Sequence, residues 1–159
     1  MAAGDAGGMH LAQLNVAHLL APLDTPQLAD FVALLEPVNT LSDAAPGFVW
    51  RLKGGDDPTD TVRHDYGDDL VINFSVWESR ETLWNFVYRS RHLAVLQRRR
   101  EWFQRIAEPY SVMWWVPEGE LPDLAEGMAR LARLRAGGPG PEAFTFKEFH
   151  DFQEPVISA

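Results

Sequence analysis

Two stretches of this sequence carry large apolar residues on both sides of an extended chain, and this limits how the rest can be arranged. Residues 70–77 read LVINFSVW. Successive side chains of a strand point to opposite faces. Leu70, Ile72, Phe74 and Val76 therefore make one face wholly apolar, while Val71, Asn73, Ser75 and Trp77 make the other half polar. The stretch from Tyr110 to Val116 contains Val112, Met113, Trp114, Trp115 and Val116, and is apolar on both. A sheet built on such strands needs cover on each face. Helices supply one cover. A second copy of the sheet is the expected other, so the chain is read as a homodimer. In the alternative, the chain's own third helix and tail do that work.

The remaining elements follow from periodicity and stop signals. A first strand, Leu11 to Leu19, puts Leu11, Gln13 and Asn15 on one face and Ala12, Leu14 and Val16 on the other. Asp24 or Thr25 caps a helix with Pro26 at its first position and a stripe of Leu28, Phe31, Val32, Leu35 and Val38. Pro37 predicts a kink or break, and Pro46-Gly47 a stop. Phe48 to Lys53 reads as the second strand. A loop from Gly54 toward Asp69 follows, with an irregular strand around Val62 to Tyr66. Ser79 caps a second helix that runs through Trp84 and Tyr88 to about Ala107, with a bend near Ser90. After the fourth strand, a third helix spans Asp123 to Ala136 on a stripe of Leu124, Met128, Leu131 and Leu134, and Ala143 to Phe146 forms a short strand.

The order β-α-β-β-α-β is the split βαβ, ferredoxin-like arrangement. The predicted fold is α+β: a four-stranded antiparallel sheet with two main helices on one face, plus a C-terminal helix and short strand. One domain covers 10–147, with a disordered stretch at 1–9 and a fraying tail at 148–159.

Composition removes several function classes. The chain has no cysteine, so disulfides, thiolate metal sites and a cysteine nucleophile are excluded. No apolar stretch approaches the roughly 20 residues that span a membrane. Met1 to Gly8 has neither the basic nor the apolar region of a signal peptide, and a cytoplasmic protein with no membrane partner is expected. A net charge of −9 argues against nucleic acid as a partner. Arg80 to Arg105 departs from that balance, with seven arginines against Glu81 and Glu101. It reads as a solvated helix face, or as a rim that attracts an anionic small molecule. His10, His18, His64, His92 and His150 are too scattered for a metal site. Gly54-Gly55 sits in an acidic loop that would repel phosphate.

Strand parity gathers Gln13, Asn15, Asn73, Ser75 and Trp77 on one semi-polar face, with Arg51 joining from the second strand. Each unpaired polar group buried there would cost about 1–3 kcal/mol, so these residues meet each other, water or a ligand. On a continuous second helix, positions 84, 88, 92, 95, 99 and 102 share one stripe, so Trp84, Tyr88, His92 and Trp102 would close a cavity over that face. His92 reads as a general base or iron ligand, or as a helix histidine bonded to a neighbour. The tryptophans read as core or as stacking surfaces for a substrate. Arg51 reads as a clamp for an anion or carbonyl, or as half of a salt bridge.

The passage Ser75-Val76-Trp77-Glu78-Ser79, followed by Leu83, Phe86, Tyr88, Ser90 and His92, resembles the dimeric α+β barrel superfamily, which includes antibiotic-biosynthesis monooxygenases and haem-degrading enzymes. The chain more closely resembles a bacterial family, domain of unknown function 3291. The matching stretches are LAQLNVA from Leu11, PGFVWRL from Pro46, SVWES with FVYRS and His92, RRREWF from Arg98, WWVP from Trp114 and EAFTF from Glu142. The resemblance implies a ligand cavity between sheet and helices, and a small-molecule-binding dimer. It also implies activity like that of a cofactor-independent monooxygenase on a hydrophobic or aromatic substrate. In that chemistry His92 or Tyr88 takes a proton, and Asn15, Asn73 and Arg51 hold the resulting oxyanion. The alternative is a non-catalytic dimer that binds haem or a hydrophobic ligand. Haem-degrading members carry an Asn on the first strand, then a Trp and a His on the second main helix. Asn15 matches the first. Phe86 and Leu96 stand at the other two positions, with Trp84 and His92 out of register.

Overall fold

The computed structural model describes residues 8–53 and 66–153; the irregular strand expected around Val62 falls almost wholly outside them. The strands are β1 (Met9–His18), β2 (Phe48–Arg51), β3 (Leu70–Trp77) and β4 (Ser111–Pro117). The helices are α1 (Ala29–Asp43), which follows a 3₁₀ turn at Pro26–Leu28, then α2 (Arg80–Arg89), α3 (His92–Gln97), α4 (Arg99–Trp102) and α5 (Leu124–Gly137). The sheet order is β2-β3-β1-β4, with every neighbouring pair antiparallel. This is the ferredoxin-like α+β fold.

The register sorts the residues into two faces. Leu11, Gln13 and Asn15 of β1 lie opposite Trp77, Ser75 and Asn73 of β3. Ala12, Leu14 and Val16 lie opposite Val76, Phe74 and Ile72. Arg51 of β2 pairs with Ser75, after a register shift between Phe48 and Trp50. The semi-polar face is the one beneath the main helices. There Leu11, Trp77 and Met113 pack with Leu83 and Phe86 of α2, Val38 and Leu41 of α1, and Phe144 of the tail. A separate cluster at the far end of the same side joins Leu19, Leu28, Phe31 and Trp102, with Val71 and Val95 against it.

The apolar face is covered from within the chain. Leu131 and Leu134 of α5 pack with Leu14, Phe74, Val76, Val112 and Trp114. Gly127 sets the approach: a Cβ there would stand 2.6 Å from Leu14 Cδ1 and 3.4 Å from Trp114 Cη2. Over the β1–β4 half of the sheet, α5 thus provides the shelter that a twin subunit was expected to provide. On the β2–β3 side Val49, Trp50, Leu52 and Ile72 remain only partly buried.

Helix ends follow local chemistry. Ser79 and Thr82 form a reciprocal capping box on α2. Asp123 accepts from Glu126 N at 2.8 Å to cap α5, and Gly138, with φ of +76°, ends it. The second helix is not the continuous rod that the stripe from 84 to 102 requires. Ser90 is extended, with φ −115° and ψ −175°. Its Oγ donates to Phe86 O, the carbonyl one turn back, and accepts from His92 N at 3.1 Å, so it stops α2 and starts α3. By contrast α1 runs through Pro37 without interruption. Pro37 and Ala33, whose carbonyl loses its amide partner, both lie on the solvent side.

The expected strand at Ala143 to Phe146 is one antiparallel bridge on the outer edge of β4. Met113 N donates to Phe144 O at 2.8 Å, and Phe144 N to Met113 O at 2.9 Å. Packing continues past Phe146, where fraying was expected: Phe149 stands edge-on to Trp115, and Trp115 Nε1 donates to His150 O at 2.9 Å. Among the described residues, no helix is long and apolar enough to cross a membrane.

Gly127→Val should destabilise the protein, because a branched side chain must enter the space of Leu14 and overpacking of this kind costs about 1–3 kcal/mol. The check is urea unfolding: the midpoint should fall with the slope unchanged. An unchanged midpoint would mean that α5 does not rest on the sheet.

Candidate functional site

The amide row beneath the helices is mostly bonded to itself. Gln13 Nε2 donates to Ser75 Oγ at 2.7 Å and to Asn73 Oδ1 at 3.0 Å. Trp77 Nε1 donates to the same Ser75 Oγ at 2.8 Å. Gln13 and Ser75 are buried at 7% and 6% exposure, so these bonds remove most of the cost of placing amides and a hydroxyl inside a sheet. One atom is left out: Asn15 Oδ1 is buried and has no hydrogen-bond partner. Its cross-strand neighbour Asn73 is exposed, although its side chain lies on the helix side of the sheet. Helix cover therefore opens at the Asn15–Asn73 level, between the cluster around Trp77 and the cluster around Trp102. The row is thus exposed at Asn73 and buried at Gln13.

Val71 packs on the Trp102 cluster together with Val95, and Trp77 packs on Phe86. His92 stands on the same side of the sheet, its ring 5.1 Å from that of Phe86. Its Nδ1 lies 3.2 Å from Val87 O, and donation to that carbonyl fixes the tautomer and leaves Nε2 as an acceptor. Burial pushes the His92 pKa below its ordinary 6.5, against the opposing pull of the Val87 carbonyl, so the ring is neutral at physiological pH.

The other sequence candidates lie elsewhere. Trp84 and Tyr88 stack on each other at 4.3 Å between centroids and on Phe146 of the tail, along the outer flank of α2. The break at Ser90 turns them away from His92. Trp102 is buried at 1% exposure against Phe31, beneath the Arg98 guanidinium. Arg51 is forked onto Asp43, Nε to Oδ1 at 2.6 Å and Nη2 to Oδ2 at 3.2 Å. That guanidinium holds the Asp43 carboxyl below its usual range, against some desolvation. The arginine-rich stretch is likewise partly committed: Arg98 bridges Asp30 and Glu101, and Arg80 lies over Phe149.

The Phe86 ring lies 5.1 Å from the His92 ring and 5.1 Å from the Trp77 ring, and so links the histidine to the Trp77 end of the sheet. Sequence reasoning missed Asp43 and the part played by Phe86. A carboxylate in the last turn of a helix opposes the helix dipole, and that was the readable signal for Asp43.

No curated protein matches this sequence. The chain is similar to the crystal structure of SnoaB, a cofactor-independent oxygenase from Streptomyces nogalater, at 15% identity and a TM-score of 0.46, over 72% of this chain and 98% of that one. It is also similar to NE2512, a protein of unknown function from Nitrosomonas europaea, at 14% identity and a TM-score of 0.48, over 73% of this chain and 97% of that one. The model of the family described as Domain of unknown function (DUF3291) matches residues 10–157, and the chain belongs to that family.

Proposed function

We propose that a crevice between the amide row and α2–α3, opening at the exposed Asn73, binds a hydrophobic or aromatic small molecule, with its polar group set against Asn15 and Asn73. The observation that carries this reading is the buried Asn15 Oδ1, which lacks a partner while the rest of the row is satisfied. An orphaned polar atom of this kind costs about 1–3 kcal/mol, and a bound hydroxyl or amide removes that cost. Trp77 and Phe86, stacked at 27° and buried, bound the face of the amide row at its Leu11 end. The protein acts in the cytoplasm as a homodimer in this reading. The partner copy covers the side of the apolar face that α5 leaves partly open, at Val49, Trp50, Leu52 and Ile72.

Native mass spectrometry of freshly purified protein should give twice the chain mass, with a small retained molecule or with added 2-naphthol. Asn15→Leu should weaken 2-naphthol binding about tenfold, the size expected for one buried hydrogen bond in context. A bare single-chain mass that 2-naphthol does not change would contradict both parts.

A catalytic version is favoured by His92. Its Nδ1 bond to Val87 O leaves Nε2 free to take a proton from a hydroxyl held at the amide row. That would start a cofactor-independent oxygenation, in which the electron-rich ring of the substrate reacts with dioxygen. With 1,4-dihydroxynaphthalene as probe, oxygen uptake above the uncatalysed rate should fall at least about a hundredfold in His92→Phe, the lower end of general-base effects. Because the His92 pKa is lowered, the midpoint of the rate's decline on acidification should lie below 6.5, the ordinary imidazole value. A rate indifferent to His92, or a midpoint above 6.5, would remove the histidine from the chemistry.

A further inference from the structure

Asp43 sits where a helix least favours it. It is the last residue of α1, and the last turn carries no basic residue to balance it against the negative end of the helix dipole. What it meets instead is Arg51, in a two-point fork of 2.6 and 3.2 Å. Register places Arg51 directly opposite Ser75, the hydroxyl at which Gln13 and Trp77 converge. Arg51 thus leaves the sheet on the face that carries the amide row, and its guanidinium meets the end of α1 at Asp43. Its side chain is only 20% exposed, so it is held in place rather than lost to solvent. Lys53, two residues further on, is exposed. Without Asp43, that face would carry a partly buried cation beside the row that receives the ligand's polar group, and such a cation attracts carboxylates and phosphates strongly.

We propose that Asp43 determines charge selectivity at the crevice: by occupying both arms of the Arg51 guanidinium it keeps the amide row electrically neutral, so the site takes uncharged hydroxyl- or carbonyl-bearing rings and refuses the matching anions. This rests on the ligand-binding reading given above. Asp43 acts through Arg51 and touches no ligand itself, so it is a positioning residue. Asp43→Asn leaves a neutral amide of the same size and frees one arm of the guanidinium for an anion.

The test uses two probes with the same ring system, 2-naphthol and 2-naphthoate, titrated calorimetrically against the full chain at neutral pH. The wild type should bind 2-naphthol at least about tenfold more tightly than 2-naphthoate, since an unpaired anion at a neutral buried site forfeits a charge-assisted bond. Asp43→Asn should tighten 2-naphthoate about fivefold or more and leave 2-naphthol within about twofold. Adding Arg51→Gln to Asp43→Asn should abolish the gain. Arg51→Gln alone should leave the wild-type preference intact, and this arm holds even if Asp43→Asn folds poorly.

Equal affinity of the wild type for both probes would overturn the proposal while leaving the ligand-binding reading in place. So would a folded Asp43→Asn that binds naphthol and still refuses naphthoate. Failure of both probes to bind any folded variant would overturn the binding reading, and this inference with it.

Discussion

The pairing of β1 with β3 carries the rest of the structure. Leu14 meets Phe74 on one face, and one residue earlier Gln13 meets Ser75 on the other. A slip of a single residue would send the amides under α5 and the leucine and phenylalanine under the main helices. Each face would then hold the wrong chemistry. The apolar set needs the close approach that Gly127 allows. Gln13 needs the cross-strand bonds that Asn73 and Ser75 provide in this register. These bonds therefore work as a register lock, while the bond from Trp77 to Ser75 lies within β3.

The same lock leaves a remainder. Gln13 and Ser75 are paired, but the row does not reach Asn15 Oδ1. Helix cover thins at that level, where the hydrophobic contacts divide into one cluster around Trp77 and another around Trp102. A chain selected only for stability would place a valine or leucine at position 15 and close the gap. Keeping an amide there costs stability, and such departures from local consistency gather at functional sites. Trp114, on the opposite face, also has a buried indole N–H with no partner. It belongs to the apolar cluster beneath α5, whereas Asn15 pairs across the sheet with the exposed Asn73.

Much of this was legible in the sequence, and the exceptions have physical causes. Alternation in LVINFSVW placed Asn73, Ser75 and Trp77 on one face and required cover on both. Ser79 announced its helix as a capping residue does. The division of the second helix was harder to read. A serine within a helical pattern is unremarkable until its hydroxyl takes the carbonyl one turn back, and that decision is tertiary. Once the helix divides there, Trp84 and Tyr88 follow the outer flank with Phe146, while His92 packs on Phe86. The place of α5 was also undetermined, because its leucine stripe shows that it packs but not on which face. The Arg51–Asp43 fork joins a helix end to a strand across a turn, and strand parity alone leaves the arginine looking free.

The most direct test of the central claim follows side-chain N–H resonances of the full chain in ¹H–¹⁵N spectra during titration with 2-naphthol. Trp77 and Trp114 carry indole N–H groups on opposite faces of one sheet, so each reports on its own side. The account predicts progressive shifts of the Trp77 indole and the Asn15 side-chain amide, with the Trp114 indole unmoved. Movement of Trp114 while Trp77 and Asn15 stay still would put the ligand on the α5 side and contradict the account.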